Sequence, residues 1–420
     1  MRGKLLIVLV VLSIVLAACA PAAPTFECTD AIGCVDIAPD EPIHIGYMQP
    51  LTGAAVVYGE SLEGAIKLAK AERGQLLGHD ILLTGEDSGC SAEGGETAAT
   101  KVAADPTYVG IIGTTCSSAM TAAMSTISEA GLTIISQANT SPKLTNPDET
   151  WEPGYFRTAH NDLFQGAVAA RFAFEELDAR TAAAIHDGDP YTEGLAKAFY
   201  DSFIDLGGEG VAFEAVNKGD TDMRPVLTTI AANPPDVLYF PIFEPEGNFI
   251  AAQSLEVPGL EDTVLFGADG LTVSTFAPST GEGALGMYLS GPYLTGAKAQ
   301  EFLNEYEKLN GSLPPGPFGE HGYDAINILM DAIEKVAVVE EDGTLHIGRQ
   351  ALGDAVEATD GFDGLTGTLS CGPKMLQPGV EFRGDCATGE ALAIFQVDAD
   401  WIASADVYMM GVHPPVVWTP

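Results

Sequence analysis

The sequence predicts an α/β protein of two lobes, each a parallel sheet with helices on both faces. Short apolar runs alternate with segments of helical period along nearly the whole chain, the order that produces parallel sheets. The alternation falls into two series, over 43–158 and over 162–267. The roughly 400 residues that follow the N-terminal leader also exceed what a single core organises.

In the first series, 43–48 reads as a strand, 58–72 as a helix, 80–88 as a strand and 91–104 as a helix. The runs 108–113 and 132–136 are continuously apolar, as buried parallel strands are. Between them Ser117 and Ser118 open a helix that runs to Glu129. Each of these two strands ends in hydroxyls: Thr114, Thr115, Ser117 and Ser118 after one, Ser136, Thr140 and Ser141 after the other. Any one of them can simply cap a helix or turn. Two clusters one strand apart lie where open parallel sheets bind ligands, and a helix N-terminus there suits a small anion such as a carboxylate.

After a crossover at 151–158 the second series begins. It has strands at 181–186, 210–215, 236–240 and 263–267, with helices at 162–177, 191–206, 222–232 and 246–255. A strand at 286–292 is expected to return to the first lobe, followed by helices at 297–309, 323–338 and 348–358. Segments 365–370 and 381–383 read as a hairpin, and 391–397 as a third crossing into the second lobe. Acidic residues follow the second-lobe strands: Glu244 and Glu246 after one, Asp269 after the next. Near a helix start such residues also favour the helix dipole.

The N-terminus has Arg2 and Lys4 before an apolar run at 5–18, too short to span a bilayer and laid out as a secretory signal. Leu16-Ala17-Ala18-Cys19 resembles a bacterial lipobox, which implies removal of 1–18, acylation of Cys19 and a membrane-anchored, extracytoplasmic protein. Residues 19–42, rich in Pro, Ala and Thr, read as a tether. Six of the seven cysteines remain for disulfides in an oxidising compartment. Sequence proximity pairs Cys28 with Cys34, Cys90 with Cys116 and Cys371 with Cys386, although six cysteines allow many other pairings. A net charge of −40 argues against nucleic acid and anionic membrane surfaces as partners.

Enzyme chemistry finds little support. Gly281-Glu282-Gly283-Ala284-Leu285-Gly286 matches a dinucleotide fingerprint, but it opens into a strand where that site needs a helix. Walker, nucleophile-elbow and zinc-protease motifs are missing, and the seven histidines are scattered without metal-ligand spacing. Neither a cofactor nor a metal is expected.

Cys116-Ser117-Ser118, then Ser136-Gln137-Ala138-Asn139-Thr140-Ser141-Pro142 and Leu144-Thr145, resemble the core of the branched-chain amino-acid-binding proteins, the solute receptors of ABC importers. The separation of Ser117 from Thr140 fits, as do Pro50-Leu51-Thr52-Gly53 with Tyr58-Gly59, and Phe156-Arg157-Thr158. The resemblance spans 43–397. It implies the type I periplasmic-binding-protein fold, two Rossmann-like lobes joined by three hinge crossovers. Lobe 1 is then 43–158 and 288–388, and lobe 2 is 159–287 and 389–413. It also implies a monomer that captures an amino acid, branched-chain or otherwise hydrophobic, and hands it to an ABC permease. Ser117 and Thr140 would hold the ligand carboxylate, and Glu246, Thr140 and the Ala138 carbonyl its ammonium. Glu244 and Asp269 stand as alternatives for the ammonium. Tyr58 and Tyr191 match the aromatic residues of the cleft, and the Cys90–Cys116 pair lies where the family often has a bridge. Gln137 and Asn139 replace smaller residues usual in the carboxylate loop. Amides, urea and aromatic acids are therefore alternative ligands, and a ligand-sensing receptor is the alternative role.

Overall fold

The computed structural model describes residues 26–389, 391–403 and 415–420, so the expected leader and Cys19 lie outside the described residues. The first lobe holds a five-stranded sheet of β1 (Ile43–Gln49), β2 (Ile81–Asp87), β3 (Tyr108–Gly113), β4 (Thr133–Ser136) and β5 (Tyr155–Arg157). All pairs are parallel, in the order β2-β1-β3-β4-β5. Connecting helices are α1 (Val56–Arg73), α2 (Ala92–Ala104) and α3 (Ser117–Glu129). Every residue of β3 is buried because both faces are covered, and side chains alternate between them. Ile112 joins a core with Ile45, Ile135 and Leu329, whereas Ile111 packs with Met48, Val102 and Met120.

The second lobe adds α4 (Asp162–Arg171), β6 (Thr181–His186), α5 (Pro190–Asp205), β7 (Glu209–Ala215), α6 (Arg224–Ala231), β8 (Val237–Tyr239), α7 (Glu246–Ser254) and β9 (Val264–Ala268). β10 (Tyr288–Pro292), β11 (Leu392–Gln396) and β12 (Val416–Trp418) complete its sheet, ordered β12-β11-β10-β9-β8-β6-β7. Helices α8 (Ala297–Asn310), α9 (Gly319–Val336) and α10 (Arg349–Glu357) return to the first lobe, and α9 packs on α1. The chain thus passes between lobes three times: after β5, after β10 and before β11.

Three expectations need correction. The strand at 288–292 does not enter the first lobe. It pairs parallel with β9 and antiparallel with β11, and Leu289 is buried against Leu238 and Leu271 in the second core. The crossover therefore follows Pro292. The stretch from Cys34 is not a tether either. Cys34–Ile37 pairs antiparallel with Leu345–Gly348, and the alternating Val35 and Ile37 enter the first core. The hairpin read at 365–383 is two hairpins, Phe362–Gly364 with Gly367–Leu369 and Lys374–Gln377 with Val380–Phe382. Gly367 and Gly379 turn them with positive φ, 110° and 81°, which glycine adopts without strain. The three disulfides form as sequence proximity paired them.

Candidate ligand-binding site

The loop from β3 to α3 is tied down from both sides. Cys116 precedes the first residue of α3, and its bridge to Cys90 joins that helix start to the loop after β2. Ala119 and Met120 donate to the Cys116 carbonyl, so the N–H groups of Ser117 and Ser118 precede the first intrahelical bonds. The Ser141 N–H donates to Ser117 Oγ at 3.3 Å, which leaves the Ser117 proton for another acceptor.

The facing loop after β4 is built on a buried cation. The Arg157 guanidinium is fully buried; it donates to the carbonyls of Asn139 (2.9 Å) and Ser141 (2.8 Å), to Thr145 Oγ1 (3.0 Å) and to Asp385 Oδ1 (2.5 Å). Its charge is spent behind the loop. Gln137 and Asn139 also turn away from any ligand. Gln137 Nε2 donates to Gln49 Oε1 and to Thr115 Oγ1, both at 3.0 Å, and Asn139 Nδ2 donates to Thr114 Oγ1 at 3.2 Å. The larger residues at these two positions brace the loop from below.

Between the lobes lies a small cavity of about 10 Å³, room for no more than one water. Tyr58, Thr115, Cys116, Ser117 and Ala138 line it from the first lobe, Tyr191, Phe243 and Asp269 from the second, and Phe318 from just before α9. The lobes touch: Tyr58 Oη donates to the Gly270 carbonyl at 2.8 Å, and Lys143 Nζ pairs with Glu193 at 3.2 Å. Asp269 Oδ1 accepts from Gln165 Nε2 at 2.6 Å and from Tyr191 Oη at 3.3 Å. Burial pushes the Asp269 carboxyl up to about 6, against the pull of the Gln165 amide.

A second carboxylate lies deeper. Asp162, at the start of α4, is fully buried, and neither oxygen makes a well-formed hydrogen bond among the described residues. Burial first, and then the neighbouring Asp269, push its carboxyl well above the usual range. Thr140 lies beside it, and its hydroxyl, without a well-formed hydrogen bond among the described residues, pulls the carboxyl the other way, as the Arg157 charge does. An added Cβ at Gly194, in α5, would come within 3.2 Å of Pro142 Cδ in the facing loop, a tight contact that glycine avoids.

The cavity brings together five of the seven candidates: Tyr58, Ser117, Ala138, Tyr191 and Asp269. Thr140 sits behind it beside Asp162. Glu246 and Glu244 face a neighbouring cavity of about 210 Å³, which shares only Tyr58 and Phe243 with the first. Sequence reasoning passed over Phe243, Phe318, Gln165 and Asp162. Phe243 and Asp162 had a legible signal, since one follows a strand end and the other opens a helix at a crossover. Phe318 had none, because a left-handed residue ahead of α9 (φ 73°) reaches the cleft only through tertiary packing.

The model of the periplasmic binding protein family matches residues 42–400. Among curated relatives, the Leu/Ile/Val-binding protein BraC3 of Rhizobium johnstonii is 27% identical over 303 residues, 71% of this chain and 81% of its own. An amino acid binding protein of Pseudomonas aeruginosa is 29% identical over 282 residues, 66% and 73% of the two chains. Among solved structures, the leucine binding protein LivK of Thermotoga maritima superposes with a TM-score of 0.72 at 23% identity, covering 85% of this chain and 96% of its own. The substrate binding protein LivJ of Streptococcus pneumoniae, in complex with isoleucine, gives 0.71 at 23% identity, with 85% and 97% covered. A solute binding protein of R. palustris in complex with benzoate gives 0.68 at 18% identity, with 85% and 94% covered. With its two parallel-sheet lobes, three crossovers and a match that runs nearly the length of the described chain, this protein belongs to the periplasmic binding protein family.

Proposed function

We propose that this chain is the extracytoplasmic receptor of an ABC importer, and that the residues around this cavity take the head group of an amino acid when the lobes part and close again on it. One observation carries the reading: Ser117 at a helix N-terminus on one lobe shares a single cavity with Asp269 on the other. A zwitterion needs two such opposite partners in one dry cleft. The Ser117 hydroxyl and the open N–H groups of α3 suit the carboxylate. Asp269, with the Ala138 carbonyl, suits the ammonium. Among the three acids considered, Asp269 is favoured because it alone lines the same cavity as Ser117. Thr140 supports the site from behind, and Tyr58, Tyr191, Phe243 and Phe318 suit an apolar side chain.

Ligand bound to both lobes favours the closed state by its differential affinity for it. The chain would thus act by capture and delivery, without turnover. An aromatic acid is the second reading, suggested by the benzoate complex of a structural relative. A ligand without an amine would leave Asp269 without a cation, which disfavours it. With β10 assigned by its pairing, the lobes we propose are 43–158 with 293–388, and 159–292 with 391–403. Cys19 is the proposed lipid anchor of a monomer, with the tether now ending before Phe26, which stacks on His346.

Calorimetry with leucine, isoleucine, valine and benzoate tests the reading. At least one amino acid should bind, and Asp269→Asn should weaken it roughly ten- to a hundredfold by removing a charged hydrogen-bond partner. Binding of benzoate alone, or full affinity in Asp269→Asn, would overturn it.

A further inference from the structure

The cavity at the mouth of the cleft, about 210 Å³, lies beyond the Tyr58–Phe243 pair, whose rings meet edge to face at 5.8 Å. Both lobes build it: Ala55 and Val57 from the first, Asp187, Lys218, Glu244 and Glu246 from the second. Its charges do not balance. Lys218 Nζ pairs with Asp189 Oδ2 at 2.6 Å, a carboxylate wholly withdrawn from solvent, and its single charge is shared with Asp187 and Glu246, so the carboxylates outnumber it. Those lining the cavity are Asp187, Glu244 and Glu246. Glu244 spends its oxygens on Asn248 Nδ2 (2.9 Å) and the Thr275 hydroxyl. Glu246, only 6% exposed, accepts from the Gly219 N–H at 2.5 Å through Oε1 alone, and Oε2 has no partner among the described residues. Asp187 Oδ1 takes the Asp189 N–H and the Thr192 hydroxyl, while its Oδ2 is buried and has no hydrogen bond among the described residues. An excess of carboxylates in a pocket that joins the head-group cavity across two aromatic rings suits a cation on an apolar stem.

We propose that this mouth cavity is a second subsite, which receives the cationic end of an elongated amino-acid ligand. The head group lies at Ser117 and Asp269, the stem runs along the Tyr58 and Phe243 rings, which part to admit it, and the distal ammonium meets Glu246 Oε2 and Asp187 Oδ2. The proposal rests on the amino-acid reading of the inner cavity and adds a ligand class to it, the diamino acids.

Calorimetry with lysine, and with norleucine as its uncharged straight-chain counterpart, separates the two. Wild type should bind lysine roughly tenfold or more tightly than norleucine, the worth of one charge-assisted hydrogen bond. Glu246→Gln, and independently Asp187→Asn, should shrink that ratio by a similar factor, while Asp269→Asn should weaken both ligands. Norleucine binding as tightly as lysine, or a ratio unmoved by both mouth variants, overturns the subsite and leaves the inner site standing. Failure of lysine, norleucine and leucine alike overturns the amino-acid reading and the subsite with it.

Discussion

Two kinds of buried titratable residue meet around the cleft, and they oppose one another in pH. His160 and His321 are buried neutral, with pKa values pushed down from 6.5 to about 4 and about 3 by desolvation. The unfolded chain binds those protons more readily, so their contribution is complete above 6.5 and is lost as pH falls toward 4. Asp269 behaves in the opposite sense. Its folded value of about 6 lies above the ordinary 3.8, so its contribution is present below 3.8 and lost as pH rises through 6. A ligand ammonium reverses this by favouring the carboxylate. The shift in melting temperature produced by the bound amino acid should therefore grow between pH 5 and pH 7. In Asp269→Asn that growth should vanish. A ligand-induced shift that is flat with pH in the wild type would count against Asp269 as the ammonium partner.

Individual elements are placed mainly to hold α3 and its facing loop. The Cys90–Cys116 bridge closes a loop with a sequence separation of 26, worth about 3–4 kcal/mol in the chain-entropy model. Arg157 and Asp385 tie the opposite loop to the segment after the second hairpin. The double variant Cys90→Ser with Cys116→Ser should lose about that stability in urea unfolding, and should lose affinity as well, because the start of α3 is then held by one side only. Loss of stability with affinity intact would show that the bridge serves the fold alone. These elements were largely legible in advance. Strand β3 and the Ser117 helix start followed from a local apolar run and a capping residue. Cys34–Ile37 was missed because four residues carry too little periodicity to stand out from a Pro-rich segment, although Val35 and Ile37 alternate correctly.

At the scale of the whole molecule, direct polar links between the lobes among the described residues include Tyr58 to the Gly270 carbonyl and Lys143 to Glu193. Tyr58→Phe removes the first of these, about 1 kcal/mol, and keeps the ring against Phe243. Ligand affinity should fall roughly fivefold, chiefly through faster dissociation in stopped-flow measurements. An unchanged dissociation rate would mean that the aromatic contact, not the hydroxyl, holds the lobes together.

The sequence by itself determined the class of fold, the order of its elements, the hydroxyl-bearing strand ends and the cysteine pairs close in the chain. All of these depend on contacts within one element or between near neighbours. Only the tertiary structure decided that β10 belongs to the second sheet, since an apolar run pairs equally well with either lobe until its partners are known. It also separated Asp269 from Glu246. Both follow second-lobe strands and look alike in sequence, but the Tyr58–Phe243 contact, made by residues far apart in the chain, puts them in different cavities.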